Sequence, residues 1–317
     1  MRYPRYDILD AARRFHERVR RSLRRATLDP HAPVSEGEGD VIFRVDEVAE
    51  VHLHRLARDL GRIAPTRLLA EGPGEIRSGR GTPEIRVLVD PIDGSREITF
   101  GLGSAWVLLG AAEEGSRAPR LSDLFLAYQG EIPLPRAPTF RVLWAVGGRP
   151  PRIEIRDERT GRLLRSRPFR SDASARPGVG FHVFVRFGLD DRKPLARIET
   201  EFLRRLRRTR GTDLRLLGDW MAGPSARLLL DAAEGRVRMA ADLRPLLSRA
   251  RDGAFAGAKP YDVVTAPLFQ HAGSPVTDLE GRPFDAPLDL ETPVGYVAYP
   301  NERVRRTLEP LLLRALR

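Results

Sequence analysis

The sequence contains no cysteine. A chain without cysteine forms no disulfide, uses no thiolate in catalysis and offers no sulfur ligand to a metal ion. This absence is compatible with a reducing compartment, and we expect a cytoplasmic protein. Long apolar runs are also missing, so no membrane span is predicted and no membrane partner is expected. The opening segment MRYPRYDILDAARRF lacks the apolar stretch of a secretory signal.

Lysine is nearly absent as well, since Lys193 and Lys259 are the only lysines among 54 basic residues. The arginines give the 317-residue chain a formal net charge of +11 at pH 7. A chain this basic can bind nucleic acid. Its arginines, however, are scattered with few aromatic residues among them, so we expect no nucleic-acid partner. The alternative, an arginine-rich nucleic-acid binder, predicts a steep salt dependence of DNA or RNA binding.

The apolar pattern changes between helical and strand-like periods along the chain. Apolar residues at helical spacing over 7–25 and over 46–60 predict two amphipathic helices. The alternation over 152–166, with a turn at Thr160-Gly161, predicts a β-hairpin. Short apolar runs bounded by glycine, proline and charged residues predict strands at 66–70, 85–90, 105–112, 124–128 and 140–146.

The second half of the chain also alternates strands with helices, and a helix is expected to start at Pro260. Residues 168–178 are rich in proline, serine, alanine and glycine, which makes them a candidate link between domains. We therefore predict an N-terminal domain over 1–172 and a C-terminal domain over 173–317. Both are expected to be layered structures of the α/β class.

Two aspartates directly follow a predicted strand in the segment VLVDPIDGSREI, residues 87–98. Asp90 ends an apolar run, where a buried carboxylate is costly unless it is paired or binds a cation. Asp90, Asp93 and the carbonyl between them offer the hard oxygen ligands that Mg²⁺ prefers. The N–H groups of Gly94 and Ser95 can hold a phosphate if a turn or short helix starts there. The alternative interpretation is that Asp-Pro and Asp-Gly are ordinary turn residues.

The segment DPIDGS at 90–95 resembles the signature of the inositol monophosphatase and fructose-1,6-bisphosphatase superfamily. The resemblance extends over residues 40–290 and is weak over 130–215. It implies the fold of that superfamily, a layered α-β-α-β-α sandwich. Three further motifs stand in the superfamily's order, namely FRVDEVAE with Asp46, LLAEGPGE with Glu71, and a late segment beginning KPYDVVTAPLF with Asp262.

The resemblance also implies a magnesium site of two or three ions. Inhibition by Li⁺, which competes at a carboxylate-lined Mg²⁺ position, is implied as well. Glu75 is a competing ligand, and Glu71 is favoured because it directly follows the strand. The implied ligands are Glu71, Asp90 and the Ile92 carbonyl for a first ion, and Asp90, Asp93 and Asp262 for a second.

Catalytic roles are implied by the same resemblance. Asp46 and Ser95 would form a hydrogen-bonded pair that orients the attacking water, and the N–H groups of Gly94 and Ser95 would bind the phosphate. The alternatives are a helix N-cap for Asp46 and a turn hydroxyl for Ser95. Lys259 either meets a second anionic group of the substrate or is a solvated loop charge.

The chain departs from the superfamily pattern at two motifs. The usual Glu-Glu pair is Glu71-Gly72 here, and Tyr261 replaces the usual tryptophan before Asp262. Each implied metal ligand still has a candidate. The departures leave open a non-catalytic regulatory or binding protein that keeps the fold.

The function implied by the resemblance is a Mg²⁺-dependent phosphomonoesterase of the inositol monophosphatase-like type. It would be a homodimer and would hydrolyse a small soluble phosphate ester, such as an inositol or sugar phosphate, with a metal-activated water. Alternatives within the superfamily are fructose-1,6-bisphosphatase activity and 3′(2′),5′-bisphosphate nucleotidase activity. The second is suggested by Arg96 and Glu97, which make the local sequence similar to the DGTKE of those nucleotidases.

Overall fold

Contacts in the computed structural model divide the chain into two compact units. One division between them falls after Phe169, and the domain boundary predicted after residue 172 stays a prediction. The first unit comprises Met1–Phe169, Lys259–Leu268 and Ala286–Thr292, and the second Arg170–Ala258, Phe269–Asp285 and Pro293–Arg317. The structure describes residues 4–25, 35–36, 41–42, 44–177, 180–186, 192–209, 223–247 and 257–317.

A mixed sheet of eight strands forms the first unit. A separate pair of short strands precedes it in the chain, β1 (Ser35–Glu36) and β2 (Val41–Ile42). The strands of the large sheet are, in chain order, β3 (Thr66–Ala70), β4 (Gly74–Ser78), β5 (Ile85–Asp93), β6 (Ala105–Glu113), β7 (Leu124–Ile132), β8 (Thr139–Val146), β9 (Arg152–Asp157) and β10 (Leu163–Pro168). The sheet has the order β10-β9-β8-β7-β6-β5-β3-β4. Only β3 and β5 run parallel among these neighbours. The five predicted strands and the predicted hairpin are confirmed.

Two long helices cover one face of this sheet. They are α1 (Arg5–Arg25) and α2 (Arg44–Gly61), and both predicted helices are thereby confirmed. Their apolar stripes, which include Phe15 and Leu53, are buried in one core cluster with Val87 and Val89 of β5. Burying one such side chain stabilises the fold by about 1.5–3 kcal/mol. Because side chains alternate along a strand, Leu88 and Asp90 of β5 face the opposite side of the sheet.

The opposite face of the sheet is covered by the segments 259–268 and 286–292. The hydroxyl of Thr265 donates to the side-chain oxygen of Gln129 at 2.8 Å. The guanidinium of Arg86 donates to the carbonyl of Leu288 at 3.1 Å. Coverage on both faces explains why every residue of β5 is buried and why its sequence is a continuous apolar run.

The second unit contains a sheet of four strands. Its core includes Phe202, Met239 and Leu308. Among the described residues no helix combines the length and apolar character that crossing a membrane requires. The remaining α-helices and strands of the described residues are α3 (Ser95–Thr99), β11 (Phe181–Phe184), α4 (Arg192–Arg207), α5 (Ser225–Ala233), β12 (Val237–Asp242), α6 (Arg244–Leu247), α7 (Ala266–His271), β13 (Val276–Thr277), β14 (Tyr296–Ala298) and α8 (Glu302–Ala315). The sheet has the order β11-β12-β14-β13.

The helix predicted to start at Pro260 is wrong in its position. Residues 260–265 form consecutive turns, and α7 begins only at Ala266. Pro267 gives the physical reason, because proline lacks an N–H and clashes with the carbonyl four residues earlier, so it is tolerated only in a first turn. Asp262 therefore lies in a turn.

A buried histidine links α1 to the sheet. Nε2 of His16 donates to the carbonyl of Glu131 at 2.8 Å, and because a carbonyl only accepts, Nδ1 accepts from the hydroxyl of Tyr128, also at 2.8 Å. This assignment is that of a neutral ring with its hydrogen on Nε2, which burial favours. Burial lowers its pKa from 6.5 to about 4, against the opposing effect of the bond to Glu131.

This histidine predicts a loss of stability in mild acid. The lowered pKa means that its contribution is complete above 6.5, the unfolded value, and is lost as the pH falls through about 4. Between pH 6.5 and about pH 5 we expect the free energy of unfolding to fall by about 2 kcal/mol on its account. Denaturant titrations of His16→Gln should show a flatter pH dependence over this interval. His54→Gln, which changes an exposed histidine of α2, is the control and should leave the slope unchanged.

Candidate metal centre

A bulge at the end of β5 brings two aspartates to the same side of the sheet. Asp90 is opposite Leu108 of β6 and Asp93 is opposite Trp106, with a register shift between the two pairs. Three steps along β5 therefore match two steps along β6. In a regular strand residues three apart point to opposite faces, and the extra residue of a bulge corrects this difference.

The third carboxylate of the cluster comes from the segment that crosses this face. Carboxylate oxygens of Asp90, Asp93 and Asp262 all lie within 4.8 Å of one another. Asp90 is 1% exposed and Asp93 is 8% exposed. Three carboxylates this close together, two of them buried and Asp262 half-buried, are costly without a cation. They offer only the hard oxygen donors that suit Mg²⁺. The chemistry of this donor set fits a divalent hard cation.

Asp262 is oriented by the turn in which it lies. The backbone N–H of Lys259 donates to its Oδ2 at 2.6 Å. The ammonium group of Lys259 donates to the carbonyl of Glu291, also at 2.6 Å. This side chain thus joins the two segments that cover the sheet, and its predicted contact with a substrate anion stays a prediction.

Glu71 stands next to this cluster. Its N–H donates to the carbonyl of Val89 at 3.2 Å, which extends the parallel pairing of β3 and β5 by one residue and brings Glu71 beside Asp90. Burial, followed by the charges of Glu71, Asp93 and Asp262, raises the pKa of Asp90 well above its ordinary value. The N–H of Ile92, which donates to Oδ1 of Asp90 at 2.9 Å, opposes this rise.

The competing ligand Glu75 has a different environment. It lies exposed on β4, where it pairs with Arg67 at 2.8 Å and with Arg77 at 2.6 Å. These arginines, Arg77 foremost, hold its pKa below the ordinary value. A carboxylate already paired at the surface is a poor candidate for a buried cation site, so Glu71 remains the favoured residue.

The predicted phosphate-binding residues follow the cluster directly. Gly94 has φ +99°, a left-handed conformation that favours glycine, and Ser95 begins the short helix α3. Asp46 lies half-buried in the first turn of α2, a helix that packs against α3. The helix dipole alone also favours a carboxylate in a first helical turn, so the pairing of Asp46 with Ser95 stays a prediction. The role of the Ile92 carbonyl stays a prediction as well.

Sequence reasoning missed a row of side chains that continues from the cluster across the sheet. We call it the cross-strand row, and it consists of Asp93, Trp106, Glu131 and Arg141. Asp93 is opposite Trp106, and Trp106 is opposite Glu131. Glu131 on β7 pairs with Arg141 on β8. No local sequence signal gives this row, because it depends on the register in which β6, β7 and β8 pair.

Comparisons with known proteins identify the fold. No protein-family model matches the chain, and no curated protein matches it in sequence. Solved structures do match it. The extragenic suppressor protein SuhB of Bartonella henselae is 18% identical with a TM-score of 0.64, and the match covers 96% of this chain and 98% of that chain. Fructose-1,6-bisphosphatase of Leishmania major is 13% identical with a TM-score of 0.69, covering 98% and 92%.

A third match is the IMPase of Thermotoga maritima, which is 16% identical with a TM-score of 0.57 and covers 98% of both chains. At identities this low the likeness concerns the fold. The predicted fold class, the α/β architecture of inositol monophosphatase and fructose-1,6-bisphosphatase, is therefore confirmed.

Proposed function

We propose that this chain, which has the fold of inositol monophosphatase and fructose-1,6-bisphosphatase, is a Mg²⁺-dependent phosphomonoesterase. The observation that carries the proposal is the cluster in which Asp262 joins the buried Asp90 and Asp93 at the end of β5. The matched solved structures include proteins that are named for phosphatase activity. The substrate would be a small soluble phosphate ester, such as an inositol or sugar phosphate.

Electrostatics supports a metal-dependent reaction. An anionic phosphate is repelled by three neighbouring carboxylates, and a bound cation reverses this repulsion. Asp90, Asp93 and Asp262 would hold one divalent ion, and Glu71, Asp90 and the Ile92 carbonyl would hold another. A divalent ion bound there supplies a Lewis acid for the phosphate and lowers the pKa of a coordinated water.

The remaining residues would act on the phosphate and on the water. The N–H groups of Gly94 and Ser95 would bind phosphate oxygens and fix the orientation of the ester. Asp46 would accept a hydrogen bond from the Ser95 hydroxyl, whose oxygen would then accept one from the attacking water. The left-handed conformation of Gly94 supports this arrangement because it turns the chain into α3 directly after Asp93.

A phosphate-release screen tests the proposal. We expect inorganic phosphate from at least one of three panels, the inositol phosphates, the sugar phosphates and the nucleotide bisphosphates. Release should require Mg²⁺, stop with a chelator and fall when Li⁺ is added. Hydrolysis of nucleotide bisphosphates alone would instead identify the bisphosphate nucleotidase alternative.

A second candidate function is a non-catalytic regulatory or binding protein, which the altered Glu71-Gly72 and Tyr261 positions favour. Thermal unfolding with and without Mg²⁺, measured together with phosphate release, separates this candidate from the phosphatase. A chain that Mg²⁺ stabilises and that releases phosphate from no ester would contradict the proposed activity. The homodimer is part of the proposal as well, and light scattering of the purified protein would measure it.

A further inference from the structure

The cross-strand row lies on the same face of the sheet as the metal cluster. Trp106, Leu108 and Gly110 alternate along β6, and a Cβ added at Gly110 would lie 2.4 Å from Val264, in the segment that carries Asp262. Glu131 and Gln129 alternate in the same way on β7, and Gln129 bonds Thr265 of that segment. Neighbouring strands are about 4.8 Å apart, so the row extends stepwise away from Asp93.

Arg141, the last member of the row, is directed back toward the cluster. Its Nε donates to Oε2 of Glu131 at 3.0 Å and its Nη2 to Oε1 at 3.4 Å. Its Cζ lies 5.3 Å from the centroid of the Trp106 ring. The guanidinium therefore extends from β8 across β7 to β6. The 5.3 Å to the Trp106 ring and one strand spacing of about 4.8 Å separate it from Asp93, which makes roughly 10 Å.

Glu131 holds Arg141 in this position. Its carboxylate is buried and also accepts from the Ser104 hydroxyl at 2.9 Å and from the backbone N–H of Arg141 at 3.0 Å. The Arg141 side chain is itself 24% exposed. An arginine that is fixed on an aromatic ring and by a carboxylate loses little further freedom when it binds an anion.

A similar group of an arginine, a tryptophan and a glutamate lies on the other face of the sheet, where it joins α1 to the strands. Arg13 of α1 lies 5.2 Å from the Trp144 ring centroid and pairs with Glu154 at 2.9 Å. The indole N–H of Trp144 also donates to Glu154, at 2.8 Å. The indole N–H of Trp106, by contrast, is buried without an acceptor among the residues that the structure describes.

We propose that Arg141 binds a second anionic group of the substrate, so that the site prefers phosphate esters carrying another phosphate or carboxylate. This inference rests on the proposed phosphatase function. The planar guanidinium forms paired hydrogen bonds with phosphate and carboxylate oxygens, and its position beside the cluster matches the span of a sugar-sized molecule. Arg141 thereby determines specificity, while the carboxylate cluster carries the reaction.

The test compares a hexose bisphosphate with a hexose monophosphate. Arg141→Met keeps the aliphatic contact with Trp106 and removes the charge. We expect the ratio of kcat/KM for the bisphosphate to that for the monophosphate to fall about tenfold to a hundredfold, mainly through KM. Arg141→Lys should restore part of the ratio. Arg13→Met is the matched control on the opposite face and should leave the ratio as in the wild type.

Three results would contradict the role of Arg141. They are an unchanged ratio in Arg141→Met, an equal loss for both esters, and an equal change of the ratio in Arg13→Met. Calorimetric binding of both hexose phosphates in the presence of Mg²⁺ is measured in parallel. If wild type hydrolyses neither ester, the proposed activity on hexose phosphates is wrong. The role of Arg141 would still be supported if wild type binds the bisphosphate more tightly than the monophosphate and Arg141→Met abolishes this preference.

Discussion

Asp90→Asn is expected to lower Mg²⁺-dependent phosphate release by at least about a thousandfold, which corresponds to about 4 kcal/mol of transition-state stabilisation. Asp90 is the member of the cluster whose charge interacts with Glu71, Asp93 and Asp262 together. The amide has nearly the same shape, so the packing of β5 is preserved while one negative charge and one strong metal ligand are lost. Initial rates of phosphate release at saturating Mg²⁺ measure the effect.

The same substitution is expected to stabilise the protein in the presence of a chelator. Burial and the neighbouring carboxylates raise the pKa of Asp90 above its ordinary 3.8. A carboxyl group with a raised folded pKa contributes fully to stability only below its unfolded pKa, and this contribution is lost as the pH rises through the folded value. A neutral amide avoids that loss, so Asp90→Asn should melt above wild type with a chelator at neutral pH.

Added Mg²⁺ should reverse the order of the two melting temperatures, since an ion that binds only the folded state stabilises it. We expect the rise in Tm with Mg²⁺ to be large for wild type and absent for Asp90→Asn. Glu75→Gln removes an exposed carboxylate on β4 and is the matched control, with activity and Mg²⁺ response close to wild type. An Asp90→Asn protein that keeps the wild-type activity or the wild-type Mg²⁺ shift would contradict the metal centre.

Much of this centre could be predicted from local sequence. Asp90 and Asp93 follow an apolar run, and Gly94 stands where the backbone is left-handed, so a single segment encodes both a strand and the turn after it. The two amphipathic helices were predictable for the same reason, because their apolar spacing is local. The bulge that brings both aspartates to one face was not, since it depends on the pairing of β5 with β6.

The cross-strand row was hidden by the same limit. Trp106, Glu131 and Arg141 are far apart in sequence, and they meet only because the β6, β7 and β8 registers align them. A register slip of one residue would send each side chain to the other face. Asp262 is a related case. Its motif was visible, but its place in a turn followed from Pro267, and the helix expected there was misplaced.

Gly110→Val is expected to weaken both the fold and the metal centre. A Cβ at Gly110 would lie 2.4 Å from Cγ2 of Val264 and 3.1 Å from Leu124, and Val264 is fully buried. The added carbons must displace the segment 259–268 from the sheet. Overpacking of this kind costs typically about 1–3 kcal/mol, and we expect about 3 kcal/mol here because valine adds three carbons.

Because Asp262 lies two residues before Val264, the same displacement should move its carboxylate away from Asp90 and Asp93. We therefore expect Mg²⁺ affinity to fall by about tenfold or more, measured by calorimetry below the unfolding transition. Gly115→Val is the matched control, since within the described part of the chain a Cβ added there meets one atom, a backbone oxygen 4.0 Å away. Lowered stability with wild-type Mg²⁺ affinity would show that the contact between β6 and this segment does not position Asp262. In that case the glycine at position 110 is needed for packing alone. If stability and Mg²⁺ affinity fall together, the metal centre requires a glycine at this position.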